Sequence, residues 1–300
     1  MIYICAQPAI QYFAWQIDVM LFSFVTTGVD LSRVHIVCAI HNNIDPYFDV
    51  LLRKYPQAVF SFYEDTREDR SYISSIRPHI LAKHFKDNPF LEDEEIFYHD
   101  CDIVFTKPFG IENKNPGVCY LSDTISYIGY DYIISKGRDV LDKMLSVVGI
   151  SEDVVKANQS SSGGAQYVMN GLNADFWRDV EKDCVSLYKE VSQLNVIKKQ
   201  NDPNHHEIQI WCADMWAVLW NLWKRGKVTE VPKDMDFSWA TSDATSWHKN
   251  AIYHNAGVTN DSSGMFYKGK HINSMPDMDL SLNPTKCSYH YYRILQQALQ

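Results

Sequence analysis

The chain has 300 residues, 46% of them hydrophobic, which is enough for one large core or a core with a small subdomain. Its formal charge is −9, from 28 basic and 37 acidic residues. That balance argues against a dedicated nucleic-acid binder, which must neutralise phosphates with Lys and Arg, but it leaves room for a small anionic ligand held locally.

Seven cysteines, an odd number with no C-x-x-C pair, read as buried thiols in a reducing compartment. The N-terminus has no basic stretch ahead of a cleavable apolar one. Ala14 to Val25 is apolar but carries Gln16 and Asp18, so it reads as a core helix rather than a membrane span. The expectation is a soluble cytoplasmic protein without an anchor.

In chain order, Ile2–Ala6 reads as a short strand ending in Gln7-Pro8, and Tyr12–Thr27 as a helix stopped at Gly28. Val34–Ile40 is a strand, Asp45–Tyr55 a helix and Ala58–Tyr63 a strand. Ile76–Phe85 is a helix with Pro78 in its first turn. Ile96–Phe105 is the fourth strand. This alternation predicts an α/β fold with a mostly parallel sheet flanked by helices. Beyond it, Val118–Leu121 and Ala165–Met169 read as strands, and Ala174–Val191 and the Trp-rich Ile208–Arg225 as helices. Ala251–His254 is a last short strand, and Asn255–Ser288 reads as loop. With no clear linker, residues 1–300 are expected to form one domain with two functional halves, residues 1–110 and residues 111–300.

The fourth strand carries the strongest signal, His99-Asp100-Cys101-Asp102. Two unpaired carboxylates one residue apart in an apolar strand would be costly to desolvate. A divalent cation held by oxygen ligands resolves that cost. Asp100 and Asp102 are therefore candidate ligands for Mn²⁺ or Mg²⁺ bridging to a diphosphate. His254, followed by Asn-Ala-Gly257, suits a third ligand, and the glycine would let the backbone pass close to a phosphate. His248 ranks below it, having no such glycine. Lys268 and Lys270, in a Gly-bearing loop, are candidate counter-charges, though solvated loop lysines are as good a reading.

Other candidates are weaker. Gly163 and Gly164 before a strand permit close approach of a sugar or of another backbone, and Gln166 offers an amide to sugar hydroxyls. Glu207, Trp211 and Asp214 share one helix face, the indole suiting a sugar's C–H groups and Asp214 suiting a buried functional carboxylate. Glu207 is as well explained by the helix dipole. Arg77 and Lys83 precede the metal strand and could reach a diphosphate. Asp65, Arg67, Glu68, Asp69 and Arg70 read most simply as a charged loop.

The order of strand–helix repeats, Asp100-x-Asp102, Gly163-Gly164, the Asp214 helix and His254-x-x-Gly257 resembles GT-A fold, DxD-containing glycosyltransferases. The set Asp100, Asp102 and His254 is similar to the metal ligands of the retaining galactosyl/glycogenin-like group. In that group Lys-Pro-Trp follows the histidine motif; here Lys268 or Lys270 would stand in. His99–Phe109 and Trp211–Trp216 look, more loosely, like hydroxyproline-arabinosyl and peptidyl-serine galactosyl enzymes. The resemblance implies a Rossmann-like domain and transfer of a sugar from a nucleotide diphosphate, most simply a UDP-sugar, to a hydroxyl of a glycan, protein or modified nucleobase. It implies contacts from Ala6, Gln7 and Pro8 to the nucleotide, and Asp214 near the anomeric carbon, with retention slightly favoured. A nucleotidyltransferase of the same fold would carry a Gly-rich basic loop after the first strand, which Gln7-Pro-Ala-Ile10 is not. A non-catalytic sugar-nucleotide binding module remains the other alternative.

Overall fold

The computed structural model describes residues 1–112, 114–261 and 264–300. Ser262 and Ser263, within the loop expected over Asn255–Ser288, lie outside the described residues. The chain forms two compact units that interleave along the sequence. The first contains Met1–Glu64, Tyr98–Lys114 and Lys233–Gln300; the second contains Asp65–Phe97 and Asn115–Pro232. The C-terminal segment thus shares a unit with the first three strands.

In the first unit, β1 (Ile2–Pro8), β2 (Val34–Ile40) and β3 (Val59–Glu64) are parallel, in the order β3-β2-β1. β1 and β2 are apolar on both faces, as a covered parallel sheet requires. Helices α1 (Gln11–Thr26) and α2 (Tyr47–Lys54) connect them. Asp18, the polar interruption in α1, is fully buried and satisfied: the Tyr47 and Tyr55 hydroxyls and the Lys54 ammonium all reach it within 2.8 Å.

The expected strand Ile96–Phe105 is broken in two. β4 (Ile96–His99) ends at the acidic turn, and β5 (Ile103–Phe105) restarts in a separate sheet of order β5-β10-β9. Here β9 is Phe237–Trp239 and β10 is Ile252–His254. The turn holds Asp100 and Asp102, which would otherwise need partners inside a sheet. The chain closes with a helix at Cys287–Ala298, which the sequence reading did not place. Its buried Tyr291, Tyr292, Leu295 and Ala298 join Trp15 and Val19 of α1 and Tyr253 of β10 in one aromatic core. That spacing is a helical face, which the Gly- and Pro-rich stretch before it obscured.

In the second unit, β6 (Val118–Asp123) lies between β7 (Gly163–Met169), antiparallel, and β8 (Val228–Glu230), parallel. β1–β2, β2–β3, β9–β10 and β6–β8 pair parallel and β5–β10 and β6–β7 antiparallel, so the mixed, mostly parallel α/β expectation holds. α3 (Ile76–Asp87) falls where expected. Ile125–Ala157 contains four short helices, α4–α7, that the sequence reading did not place. α8 (Ala174–Asn201) runs ten residues past the expected Val191, started by the Asn173 side chain, which accepts from the Asp175 and Phe176 amides. The expected helix Ile208–Arg225 is a tight turn at Ile210–Cys212 followed by α9 (Ala213–Lys224). Among the described residues, no helix is long and apolar enough to cross a membrane.

Candidate metal centre

Strand register explains how residues 152 apart in sequence meet. β10 runs antiparallel to β5 with His254 opposite Ile103, so the imidazole stands beside Asp102. The Asn255 amide donates to the Asp102 carbonyl at 2.9 Å and locks this edge. His254 Nε2 lies 3.2 Å from Asp102 Oδ1 and 3.7 Å from Asp100 Oδ2. One ligand atom from each of the three side chains falls within 4.8 Å of the others. Among the described residues, no other group of three or more His, Cys, Asp or Glu side chains converges in this way.

Asp102 and His254 are buried, and Asp100 is half-buried. Lys268 is ion-paired with Asp102 Oδ2. Burial works against the Asp102 charge, but Lys268 and His254 outweigh it and hold the carboxyl well below the usual carboxylate range. Burial likewise works against the Lys268 ammonium, and Asp102 more than offsets it, raising its pKa. The two charges sustain each other. Burial pushes His99 down to about 4, so its ring is neutral at pH 7. Its Nδ1 lies 2.9 Å from the Asp100 carbonyl oxygen, so this residue shapes the turn.

The donor set fits a cation. Two carboxylates and one imidazole are donors that a divalent cation accepts. Three protein donors leave positions for phosphate oxygens or water.

Three further aromatic residues build this site. Trp239, at the end of β9, is the parallel-sheet partner of His254, and its indole stacks on the imidazole. The Lys268–His271 turn is pinned by the Trp15 indole N–H, which donates to the His271 carbonyl at 3.4 Å, and by Phe266, stacked on His271. Of the two candidate lysines, Lys268 is therefore the one at the cluster. Lys270 pairs with Asp261 and Asp277 instead.

No family model matches the chain, and no curated protein proved similar to it. Solved structures resembling it include the apo form of the bifunctional glycosyltransferase WbbM, 10% identical over 86% of this chain and 46% of that one, with a TM-score of 0.44. Mouse xyloside xylosyltransferase 1 in its apo form is 10% identical over 85% of this chain and 97% of its own, with a TM-score of 0.44. Galactosyltransferase LgtC in complex with donor and acceptor sugar analogues is 11% identical over 99% of this chain and 96% of its own, with a TM-score of 0.46. The chain spans less than half the length of WbbM.

The remaining candidates are placed as follows. Ala6 and Gln7 are buried in β1, and Pro8 is half-buried at its end. In the second unit, Arg77 is ion-paired with Asp214 Oδ2, and the Tyr72 hydroxyl lies 2.6 Å from Asp214 Oδ1 and 2.7 Å from the Trp211 carbonyl. Both oxygens of the Asp214 carboxylate therefore have partners inside the fold. Burial and the neighbouring Asp214 charge raise the Tyr72 phenol far above its ordinary value, so it stays a donor. Trp211 itself is 62% exposed. Lys83 donates to the Thr66 hydroxyl at 2.8 Å.

Gln166 is fully buried, and its carbonyl accepts from Ser122 at 2.7 Å. The two glycines lie inside β7 rather than in a loop before it. A Cβ on Gly163 would come within 2.6 Å of both Leu121 Cβ and the Ser122 carbonyl, so the close neighbour is the backbone of β6. Ala165, at φ +68°, holds a left-handed conformation where the β6–β7 register slips. Glu207 is exposed ahead of the tight turn.

The stretch read as a charged loop is one, and the fold buries two of its charges. Asp65 and Arg67 are buried and form a two-pronged ion pair at 2.9 and 3.0 Å, and Arg67 also donates to the Tyr72 and Ile73 carbonyls and to Ser75. A guanidinium can satisfy that many acceptors at once, and only the fold brings them within its reach. Tyr72 and Trp239 were not singled out from sequence, since isolated aromatics in an aromatic-rich chain carry no signal.

Proposed function

We propose that this chain is a metal-dependent glycosyltransferase that moves a sugar from a nucleotide diphosphate, most simply a UDP-sugar, to a hydroxyl acceptor. One observation carries the proposal: Asp100, Asp102 and His254 converge, with Lys268 in contact with Asp102. Two acids and an imidazole are a cation's ligands, and a lysine beside them suits the diphosphate that the cation would bridge.

Asp100, Asp102 and His254 would hold Mn²⁺ or Mg²⁺. Bound there, the ion would compensate the charge that grows on a departing diphosphate. Lys268 offers an ammonium to the same phosphates. Gln7 and Pro8, at the end of β1, would face the nucleoside. Trp211 offers an exposed indole to the C–H face of an acceptor sugar. Asp214 would act through Trp211 and Arg77, which it and Tyr72 hold in place. In the transfer, the bond from the anomeric carbon to the diphosphate oxygen breaks, a bond to the acceptor oxygen forms, and the hydroxyl proton passes to the departing diphosphate. The sequence likeness to the retaining group favours retention.

The test is a hydrolysis and transfer screen over UDP-, GDP-, CMP- and dTDP-sugars with Mn²⁺ and with Mg²⁺. Turnover of a UDP-sugar with Mn²⁺, lost in Asp102→Asn, is the expected result. Metal-dependent nucleotide binding without turnover of any donor would instead mark a binding module. Indifference to metal would remove the proposal.

A further inference from the structure

We infer that Lys268 makes cation uptake by Asp100, Asp102 and His254 conditional on a diphosphate anion, by occupying one oxygen of the central ligand. The inference rests on the reading of those three side chains as cation ligands and adds what governs their occupancy.

The geometry divides one carboxylate between two partners, an imidazole and an ammonium. Asp102 Oδ1 faces His254, and Oδ2 faces Lys268. A dication taken up on the His254 side stands one carboxylate width from the ammonium. At that separation, in a buried setting, the repulsion between the two is large. The ammonium also cancels one of the two negative charges that the acids offer. Lys268 therefore lowers the affinity of the site for a cation alone.

The ammonium is not free to leave at no cost. Its turn is tied to α1 by Trp15 and by the Phe266–His271 stack, and Phe266 is itself held by the Ser288 hydroxyl, which accepts from the Phe266 amide at 2.8 Å. A long side chain on a fixed backbone can change its partner without moving its Cα. A diphosphate beside the cation is the partner that relieves the repulsion, because it gives the ammonium a second anion and gives the dication oxygen ligands. Cation and diphosphate then bind cooperatively, and each raises the affinity for the other by the same factor.

The experiment uses Mn²⁺ as the metal and inorganic pyrophosphate as the anion, with binding read by calorimetry and by the paramagnetic resonance signal of free Mn²⁺. Wild type is expected to bind Mn²⁺ weakly alone, and at least about tenfold more tightly with pyrophosphate. Lys268→Met, which keeps the stem and removes the charge, is expected to bind Mn²⁺ alone about tenfold more tightly than wild type, with a smaller tightening by pyrophosphate. Lys268→Arg, which keeps the charge, is expected to behave as wild type, so a gain in the methionine variant reports charge rather than altered packing. Equal or weaker Mn²⁺ binding by Lys268→Met, with Asp102→Asn still abolishing it, overturns the inference and leaves the ligand assignment standing. Absence of Mn²⁺ binding in wild type, with and without pyrophosphate, overturns both.

Discussion

The indole of Trp239 lies parallel to the imidazole of His254, with ring centroids 6.1 Å apart and an interplanar angle of 8°. The pair follows from register, since β9 and β10 run parallel with these two residues opposite each other. His254 is thereby held between a ring on one strand and the acids of the turn before β5. The stack fixes the ring's orientation before any ligand arrives. Trp239→Leu is expected to weaken Mn²⁺ binding by about 2- to 10-fold, the worth of one aromatic pair. Tryptophan emission gives a second readout: Mn²⁺ should quench wild type more than Trp239→Phe. Equal quenching in the two proteins would separate Trp239 from the site.

The three candidate ligands should not be equivalent. Asp102 is buried between His254 and Lys268, whereas Asp100 is half-buried and its closest approach to His254 is 3.7 Å. Asp102→Asn is expected to reduce Mn²⁺ affinity by about 100-fold or more, and Asp100→Asn by less. Removing the Asp102 charge also leaves the Lys268 ammonium without its carboxylate, so the variant should lose stability as well. Calorimetric Mn²⁺ titrations beside urea unfolding of each variant measure both effects. A larger loss of affinity in Asp100→Asn would reverse the assignment of the central ligand.

Acid should loosen the second unit through Asp65. Burial opposes its charge, but hydrogen bonds and attraction from Arg67 outweigh that and bring its carboxyl down to about 2. The native state therefore binds its proton later than the unfolded chain does. The stability it contributes is complete above the unfolded carboxylate value near 4 and is lost as pH falls toward 2. The contribution is on the order of 2 kcal/mol. Asp65→Asn is expected to be less stable than wild type at pH 6, with the gap narrowing between about pH 4 and pH 2. A gap that stays constant over that range would show that the ion pair is not the source.

Strand–helix alternation and the acidic turn were legible because each rests on local pattern. An apolar run interrupted by Asp100 and Asp102 must do something unusual wherever it folds. What the run did not disclose is that it ends one sheet and begins another, since both pieces are equally apolar. His254 was legible through Gly257, three residues on. The choice between Lys268 and Lys270 was not, because it depends on the turn docked on Trp15. The same holds for Arg67, which reads as a surface charge until Tyr72, Ile73 and Ser75 fold back around it. The helix at Cys287–Ala298 carries its apolar spacing in the sequence, but that α1 receives this face is a property of the fold.

Asp214 offers the sharpest separation between a bracing and a reacting carboxylate. Its oxygens are engaged by Arg77 and Tyr72, the Tyr72 phenol stacks on Tyr188 with ring centroids 4.9 Å apart, and the same hydroxyl reaches the Trp211 carbonyl. If Asp214 braces Trp211, then Arg77→Met should destabilise the protein by about 3–5 kcal/mol, because a buried carboxylate loses its counter-charge. Tyr72→Phe should cost about 1–2 kcal/mol, as a lost hydrogen bond to a charged group does. Arg77→Met combined with Asp214→Asn should recover part of the first loss, since the neutral amide needs no guanidinium. In turnover assays, Asp214→Asn should raise KM for the acceptor more than it lowers kcat. A fall in kcat of about 100-fold or more in Asp214→Asn, at unchanged stability and acceptor KM, would place its carboxylate at the reacting carbon instead.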